Sequence, residues 1–275
     1  MAKKMILKGV GQFLANVYDP TQANGTGVQL ATLGTMQELK IEFDVSIDNI
    51  YGGDGLFNID TLVKEKTINI TATDAKLDLS QIRLMMGSQI TTAGNNPTDT
   101  LWAINELHAP VASGASFLVN NPTTITDVQV VNTDNNYVLV NGTDYSVSTA
   151  TGSITINGTA NSQSITGYAV SYQYSTTGVD RLDFLSTEVP FPVQIVHHGS
   201  FLQKDGTMRG IETVFYQALA SGKFTIDAKR ATAEASTVSL TVLDPERADG
   251  KIGYIKMFNQ SGNTTPSTYT GVQYV

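Results

Sequence analysis

The sequence predicts an all-β protein: a β-sandwich or barrel host domain with one short α-helix, interrupted by a second, smaller β-sandwich. Three observations predict it. Charged residues make up only 15% of the 275 positions, against about 25% in average soluble proteins. Thr, Ser, Asn and Gly, which suit strands and turns, stand in their place. From Glu38 to Asp48 polar and apolar residues alternate without a break, the period-two mark of a strand with one buried and one solvated face. Positions 84–180, between Arg83 and Arg181, contain no Lys or Arg, which sets that stretch apart as a separate module.

Taken in order, residues 5–18 predict a first strand, and Asp19 to Gly27 is turn chemistry throughout. Val28 to Leu33 returns as a short strand, and Gly34 breaks it. The long strand follows. Leu39, Ile41, Phe43, Val45 and Ile47 share its apolar face, which is expected to bury against the outer sheet and helix. Glu38, Lys40, Glu42, Asp44, Ser46 and Asp48 share the other face, where four carboxylates against one lysine leave a balance of −4 + 1 = −3. Acidic residues are depleted from strands, so the stripe calls for a reason. Residues 49–63 read as a long loop, uncommon without a task, whose Ile50, Tyr51, Leu56, Phe57, Ile59, Leu62 and Val63 need cover. Lys64 to Asp74 alternates again, so 36–74 predicts one long hairpin with a partly apolar tip.

Residues 78–87 predict a helix capped by Asp78 or Ser80, packed through Leu79, Ile82 and Met86, and stopped by Gly87. The inserted module, 110–178, predicts short strands near 116–119, 125–131, 137–140, 144–148, 153–157 and 167–174, separated by turn signals such as Asn141-Gly142. The host domain then comprises 1–109 and 179–275. Within it Val189 to His198 reads as an edge strand because of Pro190 and Pro192. Residues 211–220, 223–227, 237–243 and 252–258 read as further strands, and 259–275 as a polar tail that a partner would order.

The formal net charge of −8 leaves no basic surplus for neutralising phosphates, which argues against nucleic-acid binding. With no cysteine, neither disulfides nor thiolate metal sites are possible. No stretch approaches the ~20 apolar residues of a membrane span, and none reads as a signal peptide; the expectation is a protein made in a cytoplasm and not inserted in a membrane. His197 and His198 would point to opposite faces of a strand, wrong for joint ligation, and His108 reads as structural. Gly52-Gly-Asp-Gly55 lacks the spaced acids of a calcium loop. No nucleophile elbow, phosphate loop or zinc motif is present, so neither an enzyme nor a metal or cofactor site is expected.

Two stretches resemble the tail tube (major tail) proteins of long-tailed bacteriophages: Leu7 to Asp19 followed by Leu33 to Phe43, and Ile211 to Gly222 followed by Ser239 to Arg247. Residues Thr143 to Ile156 of the insert resemble the immunoglobulin-like modules of phage structural proteins. The resemblance implies a structural subunit of the virion tail, assembled in the host bacterial cytoplasm. Such subunits form rings of six that stack into a tube, with long strands joined into one inner barrel. A hairpin loop reaches the next ring, a helix packs outside, and the insert decorates the exterior. It implies that Glu38, Lys40, Glu42, Asp44 and Asp48 line the lumen, that Tyr51, Leu56, Phe57 and Ile59 form the inter-ring loop, and that DNA passes without being held. Partners implied are further copies of the chain and other tail proteins: tape measure, terminator and baseplate.

Two alternatives stay open. One is a virion surface protein whose β-sandwich recognises a receptor or carbohydrate through Tyr137, Tyr145, Tyr168, Tyr172 and Tyr174. The other is a capsid or decoration protein.

Overall fold

A computed structural model of the chain describes residues 5–22, 24–52, 56–92, 98–157, 166–204, 206–221, 224–226 and 235–259. The first strands are β1 (Gln12–Tyr18), β2 (Thr26–Leu33), β3 (Met36–Ile50) and β4 (Asp60–Asp74), followed by helix α1 (Leu79–Met86). Next come β5 (Gln89–Thr91), β6 (Asp99–His108), β7 (Ser116–Leu118), β8 (Ile125–Asn132), β9 (Tyr145–Ser148), β10 (Ser153–Ile156) and β11 (Tyr168–Thr176). The chain ends with β12 (Arg181–Asp183), β13 (Val193–Leu202), β14 (Met208–Ala220), β15 (Ser236–Val242) and β16 (Gly253–Asn259). It divides into two compact units, Met1–Ile90 with Leu182–Val275, and Thr91–Arg181.

The first unit is one antiparallel sheet in the order β2-β1-β13-β14-β15-β4-β3, with β16 added to the edge of β14. Alternate residues of strands from both ends of that order meet in one core: Phe13 and Leu33 with Ile70, Ile195, Val238 and Leu240. The sheet therefore curls over on itself. Helix α1 packs against β2, β14 and β15 and adds Leu84 and Met85 to the core. Asp78 caps it by accepting from the Ser80 N–H at 3.1 Å, and Gly87 stops it in the left-handed region at φ 80°. The buried face is Gln81, Ile82, Leu84 and Met85, not Leu79, Ile82 and Met86. Gln81 turns inward because a buried polar network waits for it: its amide donates to Asp74 at 3.1 Å and to the Lys76 carbonyl at 3.0 Å, and it accepts from the Ser236 hydroxyl. That network ties helix, β4 and β15 together.

Strand β13 is not an edge. It pairs β1 on one side and β14 on the other. Pro190 and Pro192 precede its first residue, Val193, so neither proline enters the ladder. Of the strand expected over 223–227, residues 224–226 are described and form no strand; of the tail expected over 259–275, residue 259 ends β16 and the rest lies outside the described residues.

The second unit holds two three-stranded antiparallel sheets, β7-β10-β9 and β6-β11-β8, around a shared core of Ile125, Val130, Ile154, Tyr168, Val170 and Tyr172. Its boundary lies earlier than the expected residue 110, because β6 pairs along β11 from Tyr168↔His108 to Thr176↔Asp99. Glu106 of β6 sits inside this unit. It accepts from the Tyr172 hydroxyl and the Asn120 N–H, both at 2.7 Å, and lies 2.7 Å from His108 Nε2. Residues 137–140 form no strand, only the bridge Val131↔Val138. Strands β5 and β12, where the chain leaves and re-enters the first unit, pair with each other.

Candidate assembly surface

The acidic strand is β3, and it pairs with β4 from Met36↔Asp74 to Ile50↔Asp60. On its far side β4 pairs with β15 only from Ser236↔Asp74 to Thr241↔Asn69. Beyond Asn69 the hairpin continues without that support. The expected fifteen-residue loop is shorter: the arms run to Ile50 and from Asp60, taking six of its residues into strand and leaving 51–59 as the connection. The Ile59 N–H donates to the Ile50 carbonyl at 2.7 Å to close it. Residues 53–55 of the tip, and with them most of the Gly-Gly-Asp-Gly stretch, lie outside the described residues. Tyr51, Leu56, Phe57 and Ile59 are all exposed, Leu56 at 94%.

Cross-strand partners share a face, so the register defines both surfaces. Glu38, Lys40, Glu42, Asp44 and Ser46 stand opposite Thr73, Thr71, Asn69, Thr67 and Glu65. Beyond β4 the same face continues as Thr237, Ser239 and Thr241, with the Thr241 hydroxyl donating to Asn69 Oδ1 at 3.0 Å. The result is a polar surface three strands wide whose charge is concentrated on β3. A register shift after Ser46 places Lys64 as the extra residue of a bulge, and its ammonium reaches Asp48 at 2.7 Å. Lys40 reaches Glu42 at 2.7 Å, and that carboxylate raises the lysine's pKa. The face thus carries Glu38, Glu42, Asp44, Asp48 and Glu65 against Lys40 and Lys64, or −5 + 2 = −3. Both ion pairs are exposed and stabilise little. The sequence expectation put all five stripe residues on one solvated face, and the structure exposes all five there. Glu65 falls on the outward face that the alternation of 64–74 gives it, whereas Lys64 was missed, because no periodicity announces a bulge.

The opposite face is covered for only half its length. Ala72, Ile70 and Ile68 of β4 are buried, and Leu39 and Ile41 of β3 are half-buried. Farther out, Phe43 is 59%, Val45 49% and Ile47 54% exposed. Phe43 stands opposite Ile68, at the margin of the core, and its ring lies 6.4 Å from that of Phe215 between centroids. The expectation that the whole stripe buries within the subunit is therefore wrong. The proximal half is buried in the shared core with Phe13, Leu33, Ile195 and Phe215, whereas the distal half stays about half exposed among the described residues.

The match to a family of known proteins covers residues 12–257, from β1 to β16. The chain belongs to the YomU/Tube protein family. This is a phage-associated family of tube-like structural proteins, and the virion tail is the setting it implies. No curated protein matches the chain.

Other singled-out residues have structural roles. His197 is buried and bonds through Nε2 to the Val10 carbonyl at 2.7 Å, whereas His198 on the opposite face stacks on Phe258. Of the insert tyrosines, Tyr145, Tyr168 and Tyr172 are core residues and Tyr174 packs against them, so they form no recognition surface. A cleft of about 460 Å³ is lined by Tyr18, Pro20, Pro245 and Arg247 among others. Within it Arg247 lies over the Tyr216 ring at 4.1 Å and donates to Asp249 at 3.0 Å, which holds that carboxyl down to about 2.

Proposed function

We propose that this chain is the repeating subunit of a phage tail tube, in which copies join side by side into rings of six, rings stack, and β3 turns its acidic face to the bore. One observation carries the reading: the β3–β4 hairpin is bare on its distal apolar face, although the same stripe is buried nearer the sheet. An apolar surface of that kind marks a contact with another molecule. Its position beside the outer edge of β3, the last strand of the sheet order, suits pairing with a neighbouring copy, since an unpaired edge is a template for another strand. A contact between two different patches of identical subunits closes into a ring when the rotation permits. The exposed Tyr51, Leu56, Phe57 and Ile59 at the hairpin tip would then reach the next ring. The insert would stand outside as an immunoglobulin-like module, and tape measure, terminator and baseplate proteins would meet the tube inside and at its ends.

The acidic face suits a passage for DNA that must not stick. Duplex DNA carries one negative charge per about 1.7 Å, and a basic wall would hold it. One carboxylate about 10 Å from one phosphate in water repels by roughly 0.4 kcal/mol, cut further by a Debye length of about 8 Å. Single pairs decide nothing; repetition around each ring makes a non-adhesive lining. Negative-stain microscopy of the purified chain over a concentration series tests the reading. Rings or tubes support it, whereas monomers at every concentration, or closed shells, refute it.

A further inference from the structure

The large sheet of the first unit leaves the outer edges of β2, β3 and β16 unpaired among the described residues. These edges are not equivalent. The pairing of β2 with β1 is broken by two register shifts, and bulges turn an edge away from further pairing. β16 is regular, pairing with β14 from Arg209↔Asn259 to Phe215↔Gly253 without a shift. Its two faces differ in chemistry. The ladder places Ile255 beside Thr213 and His197, and Met257 beside Ile211 and Gly199. Both therefore lie on the core face, where His197 is buried. Yet Ile255 is 51% and Met257 43% exposed. Lys256 between them lies on the other face and is exposed, its ammonium 3.4 Å from Glu212 and 4.1 Å from the centre of the Tyr254 ring.

We propose that β16 of one copy pairs edge to edge with β3 of the next copy, with Lys256 opposite Asp44. This rests on the tube reading and names the contact that joins neighbours within a ring. β3 carries the matching pattern: Phe43, Val45 and Ile47 half-exposed on the core face, acids on the other. The ion pairs select the register. Lys40 holds Glu42 and Lys64 holds Asp48, each at 2.7 Å. Asp44 stands exposed between them, with no ion pair among the described residues. With Lys256 opposite Asp44, Ile255 and Met257 fall opposite Phe43 and Val45 in either strand direction, because successive residues alternate faces. Apolar side chains then meet on one face, and an ammonium meets a carboxylate on the other. Opposite charges directly across a ladder stabilise it and like charges destabilise it. Setting Lys256 against Glu42 instead would put one apolar residue of β16 opposite the half-buried Ile41. Two β3 strands paired about Asp44 would set carboxylate against carboxylate. A contact between two different edges also propagates from copy to copy, as a ring requires.

The chain has no cysteine, so introduced ones report contacts cleanly. Residues directly opposite have Cα atoms about 4.5–5.5 Å apart, a gap that a disulfide spans. Full-length Asp44→Cys and Lys256→Cys chains are assembled separately and as a mixture, oxidised, and resolved on a non-reducing gel. The mixture should give a covalent dimer with one chain of each kind, identified by mass spectrometry of the linked peptides. Neither variant alone should link, and Gln29→Cys, on β2, should not link to Asp44→Cys. A charge swap gives a second readout. Lys256→Glu should raise the concentration at which assemblies sediment several-fold, the scale of an exposed ion pair, and adding Asp44→Lys should restore it. Assemblies in which Asp44→Cys links to Gln29→Cys, to itself or to nothing overturn the pairing and leave the tube reading standing. A charge swap that restores nothing does the same. Failure of the parent chain to assemble at any concentration overturns both.

Discussion

Replacing Phe43 by alanine separates the stability of the subunit from the stability of its assembly. Phe43 is 59% exposed. A phenylalanine has roughly 200 Å² to bury, so about 80 Å² is covered within the subunit and about 120 Å² remains for a partner. At about 25 cal/mol per Å² the first is worth at most about 2 kcal/mol and the second about 3 kcal/mol, a weakening of each subunit contact of roughly 100-fold. Phe13, fully buried in the core, is the comparison: Phe13→Ala should lose about 3–5 kcal/mol of folding stability. Urea unfolding followed by far-UV circular dichroism gives the subunit term. The concentration at which sedimenting assemblies appear gives the other. Phe43→Ala should unfold close to the parent chain yet require far higher concentration to assemble. An unchanged assembly threshold would remove the distal face from the contact, and unfolding as severe as that of Phe13→Ala would place Phe43 in the core after all.

Other outcomes follow from the same geometry. Replacing residues 92–180 by a short Gly/Ser linker should leave a soluble, cooperatively melting first unit, whereas excising only 110–178 should give poorly soluble protein, since β6 would lose its pairing with β11; equal behaviour of the two deletions counts against the boundary. Gly87→Ala should destabilise by more than the ~1 kcal/mol of Asp78→Ala, because residue 87 has φ 80° and a Cβ there would run into the Val189 carbonyl. Burial lowers the His197 pKa below the ordinary histidine value of 6.5. The unfolded chain therefore binds that proton more readily, and the contribution is complete above about 6.5 and lost as pH falls through the lower folded value. The urea midpoint should drop between pH 7 and pH 5, and His197→Gln, though weaker throughout, should flatten that slope; an unaltered slope would exclude the residue. Glu42→Lys with Asp44→Lys should still yield tubes, since both side chains face water, but virions carrying them should release DNA slowly; normal release would take the stripe out of the bore.

The alternation of β3 was legible because a strand's two faces are written every second residue. The pairing of 36–50 with 60–74 followed from two such patterns around a turn. What lies opposite a face is not written locally. Leu39 and Phe43 occupy equivalent positions in the period, yet one meets the core and the other projects beyond β15. The helix face was misjudged for a related reason: Gln81 is drawn inward by Asp74 on the preceding strand and by Ser236, 155 residues away, while Met86 on the last turn stays exposed. The start of the insert was set too late because β6 carries Asp99, Glu106 and Trp102 and so resembles its charged surroundings, although Glu106 is buried by Tyr172. The recognition tyrosines failed in the same way, since alternation could not say which face of β11 was inside.

Cryo-electron microscopy of the assembled chain tests the central claim most directly, through the radius at which each face of β3 lies. The account predicts stacked rings in which Glu42 and Asp44 are the innermost side chains and Phe43, Val45 and Ile47 are covered by the neighbouring copy. Assemblies with the acidic face on the outside, or with Phe43 still open to solvent, would contradict it.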